Sequence, residues 1–206
     1  MQGSTIDPTK TELNYHHAAA SEHHEAHPDH RLFGVIVFLI AETMIFAGLF
    51  LAYFTFRLVA PTWPPEGTPE LELLLPGINT VILLSSSFVI HQADVAVKKN
   101  NVSGLRFWFA ATAIMGAIFL AGQVYEYSHL EFGLKTNLFA STFYVLTGFH
   151  GLHVLCGIGL ITAVLVRSFK KDHYSSDQHF GVEAAELYWH FVDVVWVVLF
   201  LILYLL

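Results

Sequence analysis

Five long apolar runs, separated by short polar segments, constrain this chain more than anything else in it. They cover Leu32–Leu58, Gly77–Val97, Phe107–Tyr127, Leu138–Val166 and Leu187–Leu206. A helix needs about 20 mostly apolar residues to cross the hydrocarbon core of a bilayer. Lipid offers backbone N–H and C=O groups no partner, so each run must satisfy its own by coiling into a helix. Barrel strands would alternate polar and apolar residues over about ten positions, and these runs do not. Turn-forming clusters fall between them, such as Pro61-Thr62-Trp63-Pro64-Pro65, Asn100-Asn101-Val102-Ser103-Gly104 and Ser175-Ser176-Asp177.

Composition agrees. Of 206 residues 54% are hydrophobic and only 13% charged, against roughly a quarter charged in soluble domains. The expected fold is an all-α membrane protein, a five-transmembrane-helix bundle over residues 32–206. Residues 1–31 form a polar, His-rich N-terminal tail with His16, His17, His23, His24, His27 and His30. That tail is expected to be solvated and disordered. Its Ser21-Glu22-His23-His24-Glu25-Ala26-His27-Pro28 stretch is no zincin motif, because the second His is displaced and Pro28 breaks a helix. The first apolar run is too long for a signal-peptide core and reads as the first span.

Five spans put the termini on opposite sides, and positive charge decides which side is which. With the N-terminus inside, the inner segments carry Lys10, Arg31, Lys98, Lys99, Arg106, Arg167, Lys170 and Lys171. The outer segments carry only Arg57 and Lys135, and the first outer loop holds Glu66, Glu70 and Glu72. The N-terminus is therefore expected inside and the C-terminus outside. The short loops predict that consecutive helices are antiparallel neighbours. Trp63, Trp108, Trp189, Tyr125 and Tyr127 lie near span ends, where amphipathic rings prefer the interface.

The formal net charge of −7 and the lack of a basic run leave nucleic acid without a binding surface. Cys156 is the single cysteine, which rules out an intramolecular disulfide and a cysteine-based zinc or iron–sulfur site.

Ionisable groups inside a span are costly, so each requires a reason. They are Glu42, His91, Asp94, Glu126, His150, His153, Glu186, His190 and Asp193. Glu42 lies about 15 Å into the first span, among Ile40, Ala41, Thr43, Met44, Ile45 and Phe46. It reads either as a group that exchanges protons or touches lipid or another subunit, or as a protonated carboxyl bonded to a neighbouring helix. His150 and His153 share a face of the fourth span, with Gly148, Gly151, Gly157 and Gly159 nearby. That pattern predicts close helix approach, with histidines hydrogen-bonded across the contact. Glu186, His190 and Asp193 also share a face. They resemble half of a di-iron ligand set, but such a site needs further carboxylates on facing helices. A polar contact stripe is the expected reading, as it is for His91 and Asp94. No two histidines on different helices match in depth well enough to hold a haem.

The longest motif is His179-Phe180-Gly181-Val182-Glu183-Ala184-Ala185, followed by Tyr188-Trp189-His190-Phe191-Val192-Asp193-Val194-Val195-Trp196. It resembles the C-terminal signature of cytochrome c oxidase subunit III. The run Phe143-Tyr144-Val145-Leu146-Thr147-Gly148-Phe149-His150-Gly151-Leu152-His153-Val154 is similar to another element of that family. So are Ala41-Glu42-Thr43-Met44-Ile45-Phe46-Ala47-Gly48 and Gly122-Gln123 with Tyr125-Glu126-Tyr127. The resemblance covers residues 32–206 and implies the short five-span bacterial form rather than the seven-span mitochondrial one. Glu186 departs from it, standing where the mitochondrial pattern is apolar.

The resemblance implies a non-catalytic subunit III of a proton-pumping haem–copper terminal oxidase, which oxidises cytochrome c and reduces oxygen to water. Haem and copper would lie in partner subunits, with no cofactor, metal or catalytic residue on this chain. The implied partners are the catalytic subunit I, subunit II and membrane lipids, with cytochrome c engaged only through the complex. The subunit would support the stability and proton uptake of the catalytic subunit. Glu42 carries over as the family's reactive membrane carboxyl. His150, His153, Glu183, His190 and Asp193 become helix or subunit contacts. The equivalent subunit of a quinol oxidase is the alternative, and a membrane di-iron enzyme or a small transporter are the readings from other classes. The expected location is a bacterial cytoplasmic or thylakoid membrane.

Overall fold

A computed structural model describes residues 30–69, 71–170 and 173–206. The His-rich tail, apart from His30, lies outside the described residues, as do Glu70 and Lys171. The described residues form five α-helices: α1 (His30–Val59), α2 (Leu74–Lys98), α3 (Val102–His129), α4 (Leu138–Ser168) and α5 (Phe180–Phe200). All five are long and apolar enough to span a membrane. The last continues as a π-helical turn, Leu201–Leu205.

Asparagines set the sharpest boundaries. Asn100 ends α2 at a positive φ of 56°, a conformation Asn tolerates better than most residues. Its N–H donates to Val97 O at 2.8 Å, and that of Asn101 donates to Ala96 O at 2.9 Å. This is a Schellman stop with Asn in the place glycine usually takes. Asn101 then caps α3, its side chain accepting from Gly104 N at 2.9 Å. Asn137 caps α4 by accepting from Ala140 N at 2.8 Å, and donates to Thr68 Oγ1 at 2.8 Å. Asn100 also accepts from Ser176 N at 2.8 Å, tying the α2–α3 turn to the α4–α5 connection.

α5 is the centre of the bundle. Its most apolar stretch is 56% buried inside the chain, against 6% for α1. The most extensive packing is between α2 and α3; α3 also packs on α4, and α5 on both α4 and α2. α1 departs from the expected neighbour order. It rests on α5 and α4 rather than on α2, and buries only Phe46 and Tyr53 fully.

Trp189 also departs from expectation. It is fully buried rather than interfacial, and its Nε1–H donates to Ser86 Oγ on α2 at 2.8 Å. Its ring sits where a Cβ on Gly116 of α3 would come within 2.5 Å and one on Gly157 of α4 within 2.9 Å. Of the four glycines singled out on α4, only Gly157 allows such an approach. Gly148 and Gly151 make ordinary contacts, and Gly159 faces open space.

Candidate proton-exchange and helix-contact site

Glu42 lies about 18 Å along α1, and His153 about 22 Å along α4. Each is near the middle of its helix, so the two meet at one depth. His153 Nε2 is 3.1 Å from Glu42 Oε2, and its Nδ1 is 2.8 Å from Phe149 O. A carbonyl only accepts, so Nδ1 carries a hydrogen. The Glu42–His153 contact then holds one proton, on the carboxyl or on Nε2, and has no net charge in either form. Phe46 and Phe149 pack edge-on against the imidazole, with ring centroids 4.9 and 4.7 Å away. Glu42 keeps 18% of its side chain accessible, so the contact is open on one side.

His150, one turn earlier, has different surroundings. It is fully buried, stacked on Trp196 with centroids 5.0 Å apart and meeting Phe119 edge-on at 5.9 Å. Neither ring nitrogen has a hydrogen-bond partner among the described residues. The expected hydrogen bond across the contact is absent there because aromatic rings of α3 and α5 fill the space. An uncharged imidazole, with a hydrogen on one ring nitrogen, is the form such an apolar cage accepts.

The α5 stripe faces α2. His91 Nδ1 is 2.9 Å from Glu186 Oε1, and His190 Nε2 is 3.5 Å from the same oxygen. His190 Nδ1 is 3.0 Å from Ser87 Oγ, which hydrogen-bonds Asp193. The Ser87 hydroxyl has one hydrogen, given to Asp193, so His190 Nδ1 must donate to it. The seam is thus a chain His91–Glu186–His190–Ser87–Asp193. Glu183 pairs with the N-cap residue of its own helix, 3.1 Å from His179 Nε2, and Asp94 pairs with Lys98 at 2.6 Å. Ser87 has no ionisable group to mark it. The only sequence signal is its position one turn before His91.

A third polar centre joins α3 to the end of the chain. Glu126, 7% exposed, accepts from Tyr204 Oη–H at 2.9 Å and Gln123 Nε2–H at 3.1 Å. The π-helical turn positions Tyr204. Glu186, His190, His150 and His153, the side chains from which a di-iron enzyme would have to draw ligands on α4 and α5, are not brought together. His153 turns to α1, His150 lies among aromatic rings, and Glu186 and His190 face α2.

Comparison with known proteins decides the family. A family profile described as cytochrome c oxidase subunit III matches residues 12–206. The chain belongs to the cytochrome c oxidase subunit III family. It is 64% identical to cytochrome c oxidase subunit 3 of a Synechocystis strain, covering 100% of this chain and 91% of that protein. Identity to the Thermostichus vulcanus protein of the same name is 58%, covering 92% of this chain and 94% of the relative. The rabbit subunit 3 is 40% identical over 84% of this chain, which takes in 68% of the longer rabbit protein. The family and the five apolar helices make this an integral multi-pass membrane protein, the subunit III of a haem–copper oxidase.

Proposed function

We propose that the chain is an accessory, non-catalytic subunit that packs on the catalytic subunit I, alongside subunit II, and supports its stability and proton uptake. The complex oxidises cytochrome c, reduces oxygen to water and moves protons outward. The haems and coppers of that reaction belong to the partner subunits. The observation that carries this reading is how the ionisable groups deep in the bundle are used. Glu42, Glu126, Glu186, His190 and Asp193 each engage another helix of this chain. Groups engaged in this way hold helices in register. The sparsely covered α1 leaves a long apolar face for lipid or for a partner subunit.

The N-terminus is inside. Lys98, Lys99, Arg106, Arg167 and Lys170 gather at one end of the bundle, where Arg106 donates to Ser168 O at 2.5 Å. Glu42, paired with His153, is a membrane carboxyl with an accessible side and a shareable proton. It exchanges protons or touches lipid and has no part in pumping, which belongs to the catalytic subunit.

The test is a complex assembled without this chain. It should keep its haem and copper spectra and its oxygen reduction, yet inactivate sooner and take up protons more slowly during turnover. A stoichiometric haem or copper spectrum from the isolated chain would refute the accessory role. Copper in the copurified second subunit marks a cytochrome c oxidase, and its absence marks a quinol oxidase.

A further inference from the structure

We propose that the α2–α5 seam, at the Lys98 end of the bundle, holds a divalent-cation site of the zinc class formed by His91, Asp94 and Glu186. One nitrogen or carboxylate oxygen from each of the three lies within 4.8 Å of the others. His91 and Asp94 are one turn apart on α2, and Glu186 faces them from α5. A second observation points to a ligand. Asp94 is only 3% exposed, and its Oδ1 has no hydrogen-bond partner, since Lys98 Nζ takes Oδ2 at 2.6 Å. A buried carboxylate oxygen without a donor is costly, and a cation offers a way to satisfy it.

The donor set selects the ion class. One imidazole and two carboxylates suit zinc, which takes nitrogen and oxygen ligands and accepts water in a fourth position. Calcium wants six to eight oxygens. Tetrahedral zinc with ligands near 2.05 Å separates adjacent donors by about 3.3 Å. His91 Nδ1 and Glu186 Oε1, now 2.9 Å apart, need open by only a few tenths of an ångström. The His91 side chain is 57% exposed and gives the ion a way in. Lys98, 52% exposed, can leave Asp94 for solvent as the ion enters. Two carboxylates balance a double positive charge. A second grouping, Asp94 with His179 and Glu183, shares the buried carboxylate. His179 Nδ1 of that grouping is also buried without a hydrogen-bond partner, and the Glu186 set is favoured because His190 Nε2, 3.5 Å from Glu186 Oε1, supplies a further donor.

The experiment is equilibrium dialysis of Zn2+ against the chelator-stripped oxidase complex containing the full chain. One zinc per complex should depend on this seam. His91→Gln and Glu186→Gln should each weaken that equivalent by 10- to 100-fold or more. His179→Gln, and deletion of residues 1–29 with their histidines, should leave it in place. His91 is exposed, so His91→Gln carries the test even where Glu186→Gln disturbs packing. Unchanged zinc binding in His91→Gln overturns the proposal. So does loss confined to His179→Gln or to the tail deletion. Failure of the oxidase reading itself would show separately, as a purified complex without haem.

Discussion

Trp189 keys three helices together, and the glycines around it turn that into a graded prediction. A Cβ on Gly116 would sit 2.5 Å from Trp189 Cη2, and one on Gly157 would sit 2.9 Å from Cε3. Carbon atoms pack best at about 3.5–4.0 Å. Gly116→Ala therefore asks the ring to move by about 1 Å and Gly157→Ala by roughly half that. The indole is rigid and is anchored to Ser86 by a 2.8 Å hydrogen bond, which a 1 Å shift would break. Overpacking costs about 1–3 kcal/mol and the lost bond about 1 kcal/mol. The helix propensity of Ala returns about 1 kcal/mol. The net loss is about 1–3 kcal/mol for Gly116→Ala and about 0–2 kcal/mol for Gly157→Ala. Gly159→Ala has nothing within 4 Å to meet, so it should be neutral or stabilising by up to about 1 kcal/mol. Thermal unfolding in detergent reads the order directly, at about 2–4 °C per kcal/mol for a chain of this size. Equal melting temperatures for Gly116→Ala and Gly159→Ala would refute the wedge.

Glu42→Ala should weaken α1 docking by about 0.6–1.7 kcal/mol, and Glu42→Gln, which can still hydrogen-bond His153, by less. A double-mutant cycle with His153→Leu, read by thermal unfolding, should show the two side chains coupled. Tyr204→Phe leaves Glu126 Oε1 without its donor and should cost about 1–3 kcal/mol, seen as a lower melting temperature. Asn137→Ala removes the α4 cap and the bond to Thr68, and should cost about 0.5–2 kcal/mol in the same assay. In a Cys156→Ser background, Ser176→Cys should react with an impermeant maleimide only from the inner side of oriented vesicles, and Thr136→Cys only from the outer side. The reverse pattern would overturn the assigned direction.

The spans were readable because crossing a bilayer demands length and hydropathy, and both are local properties of sequence. Which face each helix buries was not. α1 is apolar on nearly every side, so nothing in its run distinguishes the strip facing α4 and α5 from the strip left open. Antiparallel docking on α2 was the natural expectation from chain order alone. Trp189 looked interfacial by its place near the start of a span, yet Ser86, Gly116 and Gly157 draw it into the centre. The shared face of Glu186, His190 and Asp193 followed from helical periodicity. That it meets Ser87 and His91 depends on α2 lying beside α5, which no local pattern encodes. His150 and His153 looked alike, three residues apart. A rotation of about 60° around the helix (three residues at about 100° each) points one at Glu42 and the other into Trp196 and Phe119.

The placement of α1 follows from what lipid does not supply. Packing apolar side chains against one another gains little when the alternative is an acyl chain, so a helix with two buried residues needs specific ties. Glu42, Phe46, Tyr53 and Arg57 provide them, at spacings of four, seven and four that keep one helical face. Glu42 meets His153, and Phe46 packs on the same imidazole. Tyr53 donates to Ile202 O at 3.2 Å and accepts from Trp63 Nε1–H at 3.1 Å. Arg57 donates to Leu206 O at 2.8 Å. Two of these bonds go to carbonyls of the π-helical turn and the chain end beyond it. A helix end leaves its last carbonyls without intrahelical donors, so α1 completes α5 as α5 positions α1. The ties fix the register and rotation of α1 on one strip and leave its remaining circumference to the surroundings. Glu42 stands on the boundary between that strip and the open face, where one proton is shared with His153 and one side of the carboxyl stays reachable.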